Sequence, residues 1–400
     1  MRKTSIPTLA AKNRIISNIM EALDERKDFL MLGHKNPDED CIASMVSFAL
    51  LVTKFEKNAT ICFNGELHEH FTYLLNICRH NSIKIIGDGS NADAAYDTVV
   101  VCDTPKPDMI ECGVSGHQIP DNPDLLRIEI DHHLEADSAY FGDEGYRLVD
   151  EASSACELVG LIALKLRHRK DLTGKYNITD LLSRNFVLAV ITGIIGDSKM
   201  GKYLKTAREQ RFYSIFSSMF NELLTGQTTR AGNFSNQDEV FNELGRLSDN
   251  EARCHSAFLD RRRTSDHIGY VIMDREATEG LYREFNHETI VAASRSIADI
   301  LAEESGFLSL VVFYDDPTVS DLIQFRMRRS ESFKRYDLRK IIKLLSIENG
   351  GGHEGAVGFR VPSAEITDIE AYTARLIEKT ETEISPLINK KAVNRVINRR

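Results

Sequence analysis

The first 200 residues alternate short apolar runs with longer amphipathic stretches. FLMLGH, ATICFN, TVVVC and LLRIEI have the length and composition of strands, whereas IASMVSFALLVTKF, HFTYLLNIC and SACELVGLIALKLRH carry apolar residues at helical spacing. This alternation is typical of βαβ units around a mainly parallel sheet. Because TVVVC has no polar face, the sheet should be covered on both sides. The pattern predicts a doubly wound α/β domain over residues 1–225.

The pattern changes after residue 199. Residues 199–263 are helical and charged and are interrupted by TGQTTRAGNFSNQ, so we interpret 226–264 as a linker region. Strand-like HIGYVIMD, LSLVVFYDD and LIQFRMRRS then alternate with helix-like IVAASRSIADILAEES and YDLRKIIKLLSI, and a final helical stretch, ITDIEAYTARLIEKTETEI, follows. This second pattern predicts a smaller α/β domain over residues 265–400.

Composition narrows the class of protein and of partner. The chain has 400 residues, of which 42% are hydrophobic, so it can build packed cores rather than remain disordered. Its 60 acidic and 50 basic residues give a net charge of −10, which disfavours tracking along duplex DNA by phosphate neutralisation. A short anionic substrate remains compatible with this charge, because a local site can be positive on an acidic protein.

The cysteines and the hydropathy pattern predict a cytoplasmic protein. Seven cysteines form no C-x-x-C pair and lie mostly in apolar runs, which favours reduced thiols. The N-terminal stretch lacks the continuous apolar segment of a signal peptide. The longest apolar run, Phe186 to Ile195, is about half of the roughly 20 residues that span a bilayer. We therefore expect no membrane partner.

The first predicted strand is followed by a dense group of polar side chains. In His34-Lys35-Asn36-Pro37-Asp38-Glu39-Asp40 the Asn-Pro pair forces a turn, so His34, Asp38 and Asp40 can converge above the strand end. An imidazole with two carboxylates suits a divalent cation. The alternative is that Asp38 or Asp40 caps the helix that follows. Taken alone, the segment leaves both interpretations open.

Other predicted strands end in similar residues. Asp103 follows TVVVC, Asp131-His132-His133 follows LRIEI, and we expect Asp197 at a fourth strand end after the apolar run that closes at Ile195. In an open α/β sheet the carboxyl ends of the strands face one crevice. Acidic side chains gathered there would repel one another unless cations neutralise them. Oxygen and imidazole donors favour Mn²⁺, with Mg²⁺, Co²⁺ or Fe²⁺ as substitutes, over structural Zn²⁺. Two ions sharing a carboxylate would use six residues: His34, Asp38, Asp40, Asp103, His132 and Asp197.

These motifs resemble those of the DHH phosphoesterases. H-x-N-P-D-x-D at 34–40, the Asp of VCDTP, the Asp131-His132-His133 triplet and the Asp of TGIIGDS occur in the order that the family has, and Ser153-Ser154-x-x-Glu157 also fits. The second half is similar to the DHH-associated domain in its Arg329-Ser330 pair and its GGGH motif at 350–353. The nanoRNase and pAp-phosphatase subgroup is the one that the chain resembles most.

The resemblance implies roles for individual residues. His34, Asp38 and Asp103 would hold one metal, and Asp40, Asp103, His132 and Asp197 the other, with Asp103 shared. His133 would face the substrate phosphate and Asp131 would orient the ligands; with Asp103, they are the predicted catalytic residues. The predicted substrate-binding residues are Arg329, Ser330, Gly350, Gly351, Gly352 and His353. Glycine backbone amides can approach a phosphate closely, although three glycines can also form only a flexible turn.

The expected activity is Mn²⁺-dependent hydrolysis of a phosphate ester. The resemblance implies short linear oligonucleotides or dinucleotides such as pApA and pGpG as substrates, with pAp and cyclic di-AMP as further candidates. Two alternatives stay open: a RecJ-like single-strand exonuclease, and a catalytically silent nucleotide-binding regulator. The sequence leaves the oligomeric state open, with a homodimer as one option.

Overall fold

The computed structural model divides into two compact units. We call Met1–Arg246 the N-terminal unit and Leu247–Arg400 the C-terminal unit. The structure describes residues 2–63, 67–87, 96–110, 124–134, 137–225, 234, 236–316, 318–334, 336–345, 347 and 350–397. The segment predicted as a linker, 226–264, contains described helices on both sides of the division, and its residues 226–233 lie outside the described residues.

The described strands of the N-terminal unit form one parallel six-stranded sheet. They are β1 (Asp28–Leu32), β2 (Asn58–Cys62), β3 (Lys84–Ile86), β4 (Thr98–Cys102), β5 (Leu126–Asp131) and β6 (Arg147–Val149). Their order is β3-β2-β1-β4-β5-β6, and every neighbouring pair is parallel. The predicted mainly parallel α/β architecture is therefore confirmed. This order, typical of doubly wound folds, reverses between β1 and β4 and leaves a crevice at their carboxyl ends.

The helices of the N-terminal unit cover this sheet. They are α1 (Leu9–Glu25), α2 (Glu39–Lys54), α3 (Thr72–His80), α4 (Ala155–Leu166), α5 (Lys170–Lys175), α6 (Arg184–Ser198), α7 (Ala207–Thr225) and α8 (Gln237–Leu244), with 3₁₀ turns at Glu69–Phe71 and Pro107–Met109. Every residue of α2 from Asp40 to Val52 is buried. A helix that is apolar all round lies inside a core, and α2 and α6 pack together there.

The structure corrects one predicted strand end. The run from Phe186 to Ile195 lies in α6, so Asp197 is in the last turn of a helix rather than at the end of a strand. Burial on all sides explains the difference, because it removes the periodicity that would have distinguished a helix from a buried strand. The run is also ten residues long, a length more usual for a helix than for a strand.

The C-terminal unit contains a mixed sheet. Its strands are β7 (Arg262–Thr264), β8 (Ile268–Ile272), β9 (Leu308–Tyr314), β10 (Leu322–Arg329), β11 (Gly350–His353) and β12 (Ala356–Pro362), in the order β11-β12-β10-β9-β8-β7. The pair β8 and β9 is parallel and the other pairs are antiparallel. The predicted second α/β pattern is confirmed as a separate sheet.

Helices lie on both faces of this second sheet. They are α9 (Asp249–Leu259), α10 (Arg275–Glu284), α11 (His287–Ser305), α12 (Arg339–Leu344) and α13 (Ile369–Ile397), with 3₁₀ turns at Glu331–Phe333 and Ser363–Glu365. One core joins α9, α10 and α11 to Val311 and Phe313 of β9. The other joins α12 and α13 to Phe325 and Met327 of β10. Leu310 and Val312 of β9 belong to this second core, so alternate residues of β9 face different cores.

Two observations bear on the predicted compartment. Cys41, Cys78, Cys102, Cys156 and Cys254 are free and buried, as the sequence suggested. Cys62 is disulfide-bonded, so the prediction of reduced thiols throughout is wrong at that position; residue 112, the remaining cysteine, lies outside the described residues. Among the described helices, none combines the length and the apolar character that crossing a bilayer requires.

Candidate metal centre

The six residues predicted as metal ligands come together in the N-terminal unit. Asp103 directly follows β4, His132 directly follows β5, and His34 lies just beyond the end of β1. Asp40 lies in the first turn of α2 and Asp197 in the last turn of α6, while Asp38 precedes α2. The crevice at the reversal of strand order therefore collects side chains from four separate segments of the chain, namely residues 34–40 and the regions around Asp103, His132 and Asp197.

Asp103 lies between two imidazoles. Its Oδ2 is 3.8 Å from His34 Nε2, and its Oδ1 is 3.2 Å from His132 Nε2. The residue is 1% exposed, and Oδ1 is buried without a hydrogen-bond partner. Its φ of 47° is in the left-handed region, which is costly for a non-glycine residue. A carboxylate oriented in this way, with one oxygen toward each imidazole, suits a shared ligand of two cations.

Backbone carbonyls fix both imidazoles. The Nδ1 atom of His34 is 2.7 Å from the carbonyl oxygen of Lys35, and Nδ1 of His132 is 3.3 Å from that of Ala152. Because a carbonyl can only accept, each Nδ1 must carry the proton and each Nε2 faces the acids. His132 Nε2 is also 3.3 Å from Asp197 Oδ2. Histidines that bind metals are commonly oriented by such a contact at the other ring nitrogen.

Asp40 is held against the N-terminus of α4. Both carboxylate oxygens accept backbone hydrogen bonds, from Ala155 at 2.5 Å and from Cys156 at 3.0 Å. The side chain is fully buried, and Asp40 Oδ2 lies 3.9 Å from His132 Nε2. α6 approaches so closely that a Cβ on Gly193 would lie 2.4 Å from Asp40 Oδ1. Glycine at position 193 therefore leaves room for the carboxylate.

Asp38 fits both interpretations that the sequence left open. Its side chain accepts a hydrogen bond of 3.1 Å from the backbone N–H of Cys41, so it caps α2. The same oxygen, Oδ1, lies 3.7 Å from His34 Nε2. Cys41 also lies close to His34 and Asp103, but burial raises the pKa of its thiol to about 12, so it stays protonated at neutral pH. The carboxylates and imidazoles are thus the better donors.

The site retains protons when it holds no cation. Burial and the charge of Asp103 raise the pKa of Asp40 to about 7, and burial with the charge of Asp40 raises the pKa of Asp197 well above its ordinary value. Burial alone would lower the pKa of His132, but the adjacent carboxylate of Asp103 and the other nearby acids raise it well above the ordinary value. Bound cations would replace these protons, and this donor set therefore fits a divalent metal pair.

A pH dependence of metal binding follows from these shifts. We expect the apparent affinity for Mn²⁺ to rise between about pH 6 and about pH 8, because Asp40 and Asp197 must lose protons before they can bind a cation. Calorimetric titration in two buffers of different ionisation enthalpy would count the protons released. Asp137→Asn, which removes an exposed carboxylate of the same unit, should leave that count unchanged. An affinity that does not vary with pH would contradict this account.

Asp131 and His133 form a second hydrogen-bonded pair beside the six residues. His133 Nδ1 donates to Asp131 Oδ1 at 2.8 Å, which leaves the other ring nitrogen, Nε2, without that constraint. Burial tends to raise the pKa of Asp131, but the hydrogen bond from His133 and the charge of Lys3 lower it. Asp131 is therefore charged at neutral pH and can hold the partly exposed imidazole in one orientation.

Lys3 is a residue of this region that the sequence did not predict. It is 1% exposed, and its Nζ contacts the Thr104 carbonyl oxygen at 2.6 Å, Glu129 Oε1 at 2.8 Å and Asp131 Oδ2 at 2.5 Å. The contacts with Thr104 and Asp131 are hydrogen bonds, and the contact with Glu129 is an ion pair. The acidic pair inside the buried strand LRIEID was a usable signal, because buried carboxylates require a cation. It could not identify which cation.

The predicted substrate-binding residues lie in the C-terminal unit. Arg329 Nη1 donates to the carbonyl oxygens of Lys334 and Tyr336, both at 2.6 Å, and its side chain is 8% exposed. Ser330 is fully buried. Gly350 to His353 form the edge strand β11 rather than a free turn. The side chain of His353 lies outside the described part of the chain. A role for these residues in binding substrate stays a prediction.

Comparison with known proteins gives the following matches. Residues 28–194 match the family model described as the DHH family, N-terminal domain. No curated protein sequence matches the chain. A solved structure of an exopolyphosphatase-related protein from Bacteroides fragilis has a TM-score of 0.63 at 16% identity, covering 97% of this chain and 100% of that one. This similarity shows a shared fold over nearly the whole chain.

Two further solved structures are more distant. A pGpG-specific phosphodiesterase, PggH from Vibrio cholerae, has a TM-score of 0.35 at 12% identity, covering 88% of this chain and 99% of that one. RecJ in complex with Mn²⁺ from Thermus thermophilus has a TM-score of 0.40 at 13% identity, covering 93% of this chain and 55% of that one.

Proposed function

We propose, from the premise that the chain carries a DHH-family phosphoesterase domain at residues 28–194, that it is a metal-dependent phosphodiesterase of short nucleotides. Its substrates would be linear oligonucleotides or dinucleotides of the pApA and pGpG type, cleaved to mononucleotides, with pAp and cyclic di-AMP as further candidates. The observation that carries the proposal is the position of Asp103, whose two oxygens face His34 and His132 in the same crevice.

The donor set supports two divalent cations. His34, Asp38 and Asp103 would hold one, and Asp40, Asp103, His132 and Asp197 the other. We propose Mn²⁺, with Mg²⁺, Co²⁺ or Fe²⁺ as substitutes, because oxygen and imidazole donors suit these ions. When bound, such a pair lowers the pKa of a shared water and stabilises charge on phosphoryl oxygens. The unpaired, buried Oδ1 of Asp103 supports this assignment, since a cation would satisfy it.

The chain's own residues would orient the substrate. Asp131 fixes the imidazole of His133 through Nδ1, so Nε2 can donate to a phosphoryl oxygen. Lys3 neutralises Asp131 from the opposite oxygen, which keeps that carboxylate in one rotamer. In the C-terminal unit, Arg329, Ser330, Gly350, Gly351, Gly352 and His353 are proposed to bind the end of the substrate away from the cleaved bond. The net charge of −10 supports short substrates over duplex DNA.

A hydrolysis panel tests the proposal. Purified protein with Mn²⁺ would be assayed against pApA, pGpG, pAp, cyclic di-AMP, pyrophosphate and a single strand of about forty nucleotides. We expect kcat/KM for a dinucleotide to exceed that for the long strand by at least about tenfold, a difference of roughly 1.4 kcal/mol in transition-state stabilisation. Asp103→Ala, purified in parallel, controls for contaminating nucleases.

The other outcomes identify the alternatives. Preferential degradation of the long strand would favour a RecJ-like exonuclease and reject the short-substrate proposal. Binding of nucleotides without hydrolysis of any substrate would favour a regulator. Hydrolysis of pyrophosphate alone would reject a diesterase altogether.

A further inference from the structure

One face of the sheet in the C-terminal unit carries a group of arginines that we call the arginine face: Arg326 and Arg328 of β10, Arg360 of β12 and Arg295 of α11. The antiparallel register places Gln324 opposite Arg360 and Arg326 opposite Gly358. Residues that are directly opposite in a sheet point to the same side. This side is the one that faces α11, because Val311 and Phe313, which pair with Arg326 and Gln324, belong to the core that α11 completes.

The positive charge of this face is only partly compensated. Arg328 Nε pairs with Asp299 Oδ1 at 3.0 Å. Within the described part of the chain, Arg295, Arg326 and Arg360 have no hydrogen bond or ion pair; Arg326 lies over the ring of Phe313 at 5.7 Å. Burial and the charges of the three other arginines lower the pKa of Arg326 to about 10. Like charges are therefore crowded together without a matching set of acids.

Two buried donors on the same face lack acceptors. Arg326 Nε and Gln324 Nε2 are both buried and make no hydrogen bond with described residues. Gln324 is 5% exposed and lies next to Arg326 on this side of β10. Buried N–H groups without a partner are costly and are rare in folded proteins. Their presence beside uncompensated guanidinium groups indicates a site that is built for an anionic acceptor.

Two glycines lie beside Arg326 on the same side of the sheet. Gly358 lies opposite Arg326, and Gly351 of the edge strand lies opposite Gly358. Gly351 is exposed, and a Cβ on it would meet no atom within 4 Å. A ligand can therefore lie against the backbone at this edge while the arginines contact it from one side.

We propose that the arginine face is a binding site for phosphate groups, as in a pyrophosphate or a nucleotide. Guanidinium groups bind phosphate oxygens in pairs of parallel hydrogen bonds, and several of them gathered in a small area match an ion that carries several charges over a short length. A single carboxylate would compensate only one of them. The four arginines and Gln324 are neither metal-centre residues nor residues proposed to bind the substrate, and Gly351 only leaves space beside them. The site therefore goes beyond the proposed phosphodiesterase activity.

Calorimetric titration of the full-length protein with inorganic pyrophosphate tests this site. The protein would be kept in EDTA, so that neither hydrolysis nor a metal pair can contribute. We expect saturable binding of one pyrophosphate per chain, and a dissociation constant about tenfold higher in each of Arg295→Gln and Arg360→Gln, since a charge-assisted hydrogen bond is lost. Both side chains are exposed, so these variants should fold.

Matched controls decide what the titration means. Arg283→Gln removes an exposed arginine of the same unit, on α10, and should leave pyrophosphate binding unchanged. AMP should bind and adenosine should not. The proposal is wrong if the wild-type protein shows no saturable binding, if Arg283→Gln weakens binding as much as Arg360→Gln, or if adenosine binds as well as AMP. A failure of the hydrolysis panel leaves this result unaffected, because no turnover is measured here.

Discussion

Asp103→Ala is expected to abolish turnover, with kcat falling by at least about a thousandfold, which corresponds to roughly 4 kcal/mol of transition-state stabilisation. Asp103 is the one residue whose two oxygens face both His34 and His132. Its removal would affect both proposed cation positions, whereas any other substitution in the crevice affects one. The measurement is kcat for the best dinucleotide, together with Mn²⁺ content after dialysis.

The backbone at residue 103 calls for a second variant. Its φ of 47° is tolerated better by Asn than by Ala, so Asp103→Asn keeps the local conformation and removes only the charge. We expect both variants to lose turnover and to retain less Mn²⁺, with Asp103→Asn folding normally by circular dichroism. Asp137→Ala, at an exposed carboxylate, should behave as wild type. Turnover near the wild-type rate in Asp103→Asn would rule out a shared ligand at this position.

Parallel strands explain why most of the candidate site could be predicted. The carboxyl ends of β1, β4 and β5 meet at one edge, so residues directly after each apolar run had to lie near one another. Asp103 and His132 follow from that rule alone. The position of Asp197 does not follow from this rule, because Asp197 lies on a helix that is buried on all sides. The sequence of such a helix has no hydrophobic periodicity that would distinguish it from a buried strand. The structure places Asp197 in the crevice, but on a helix rather than at the end of a strand.

Contacts between residues distant in sequence explain what could not be predicted. Lys3 reaches Thr104 and Asp131 across more than 100 residues, and no pattern near the N-terminus distinguishes it from an exposed lysine. The arginine face is a similar case. The sequence shows a basic stretch around Arg326, but only the pairing of β10 with β12 places Arg360 on the same side as Arg326. The register between two strands depends on how they pair in the folded protein, so it cannot be predicted from the sequence of either strand alone.

Lys3→Met is expected to destabilise the protein by about 3–5 kcal/mol, the usual cost of removing one partner from a buried ion pair. Glu129 and Asp131, both fully buried, would lose their cation. Methionine fills nearly the same volume, so the cost is electrostatic rather than a cavity. Urea denaturation would measure it. Because Asp131 also orients His133, turnover should fall further than the unfolded fraction accounts for.

The pH dependence of the stability of Lys3→Met shows whether the lost charge or the altered packing causes the destabilisation. Without Lys3, the buried carboxylate of Asp131 would lose a charge that lowers its pKa, so burial would raise the pKa of Asp131 in the folded variant. Stability is then retained below the unfolded pKa and lost as pH rises, so the deficit of Lys3→Met should be larger at about pH 8 than at about pH 5. Lys175→Met, which breaks an exposed pair with Asp24, is the control and should change stability far less than Lys3→Met does. A Lys3→Met deficit that stays constant with pH would mean that packing, not charge, makes Lys3 necessary.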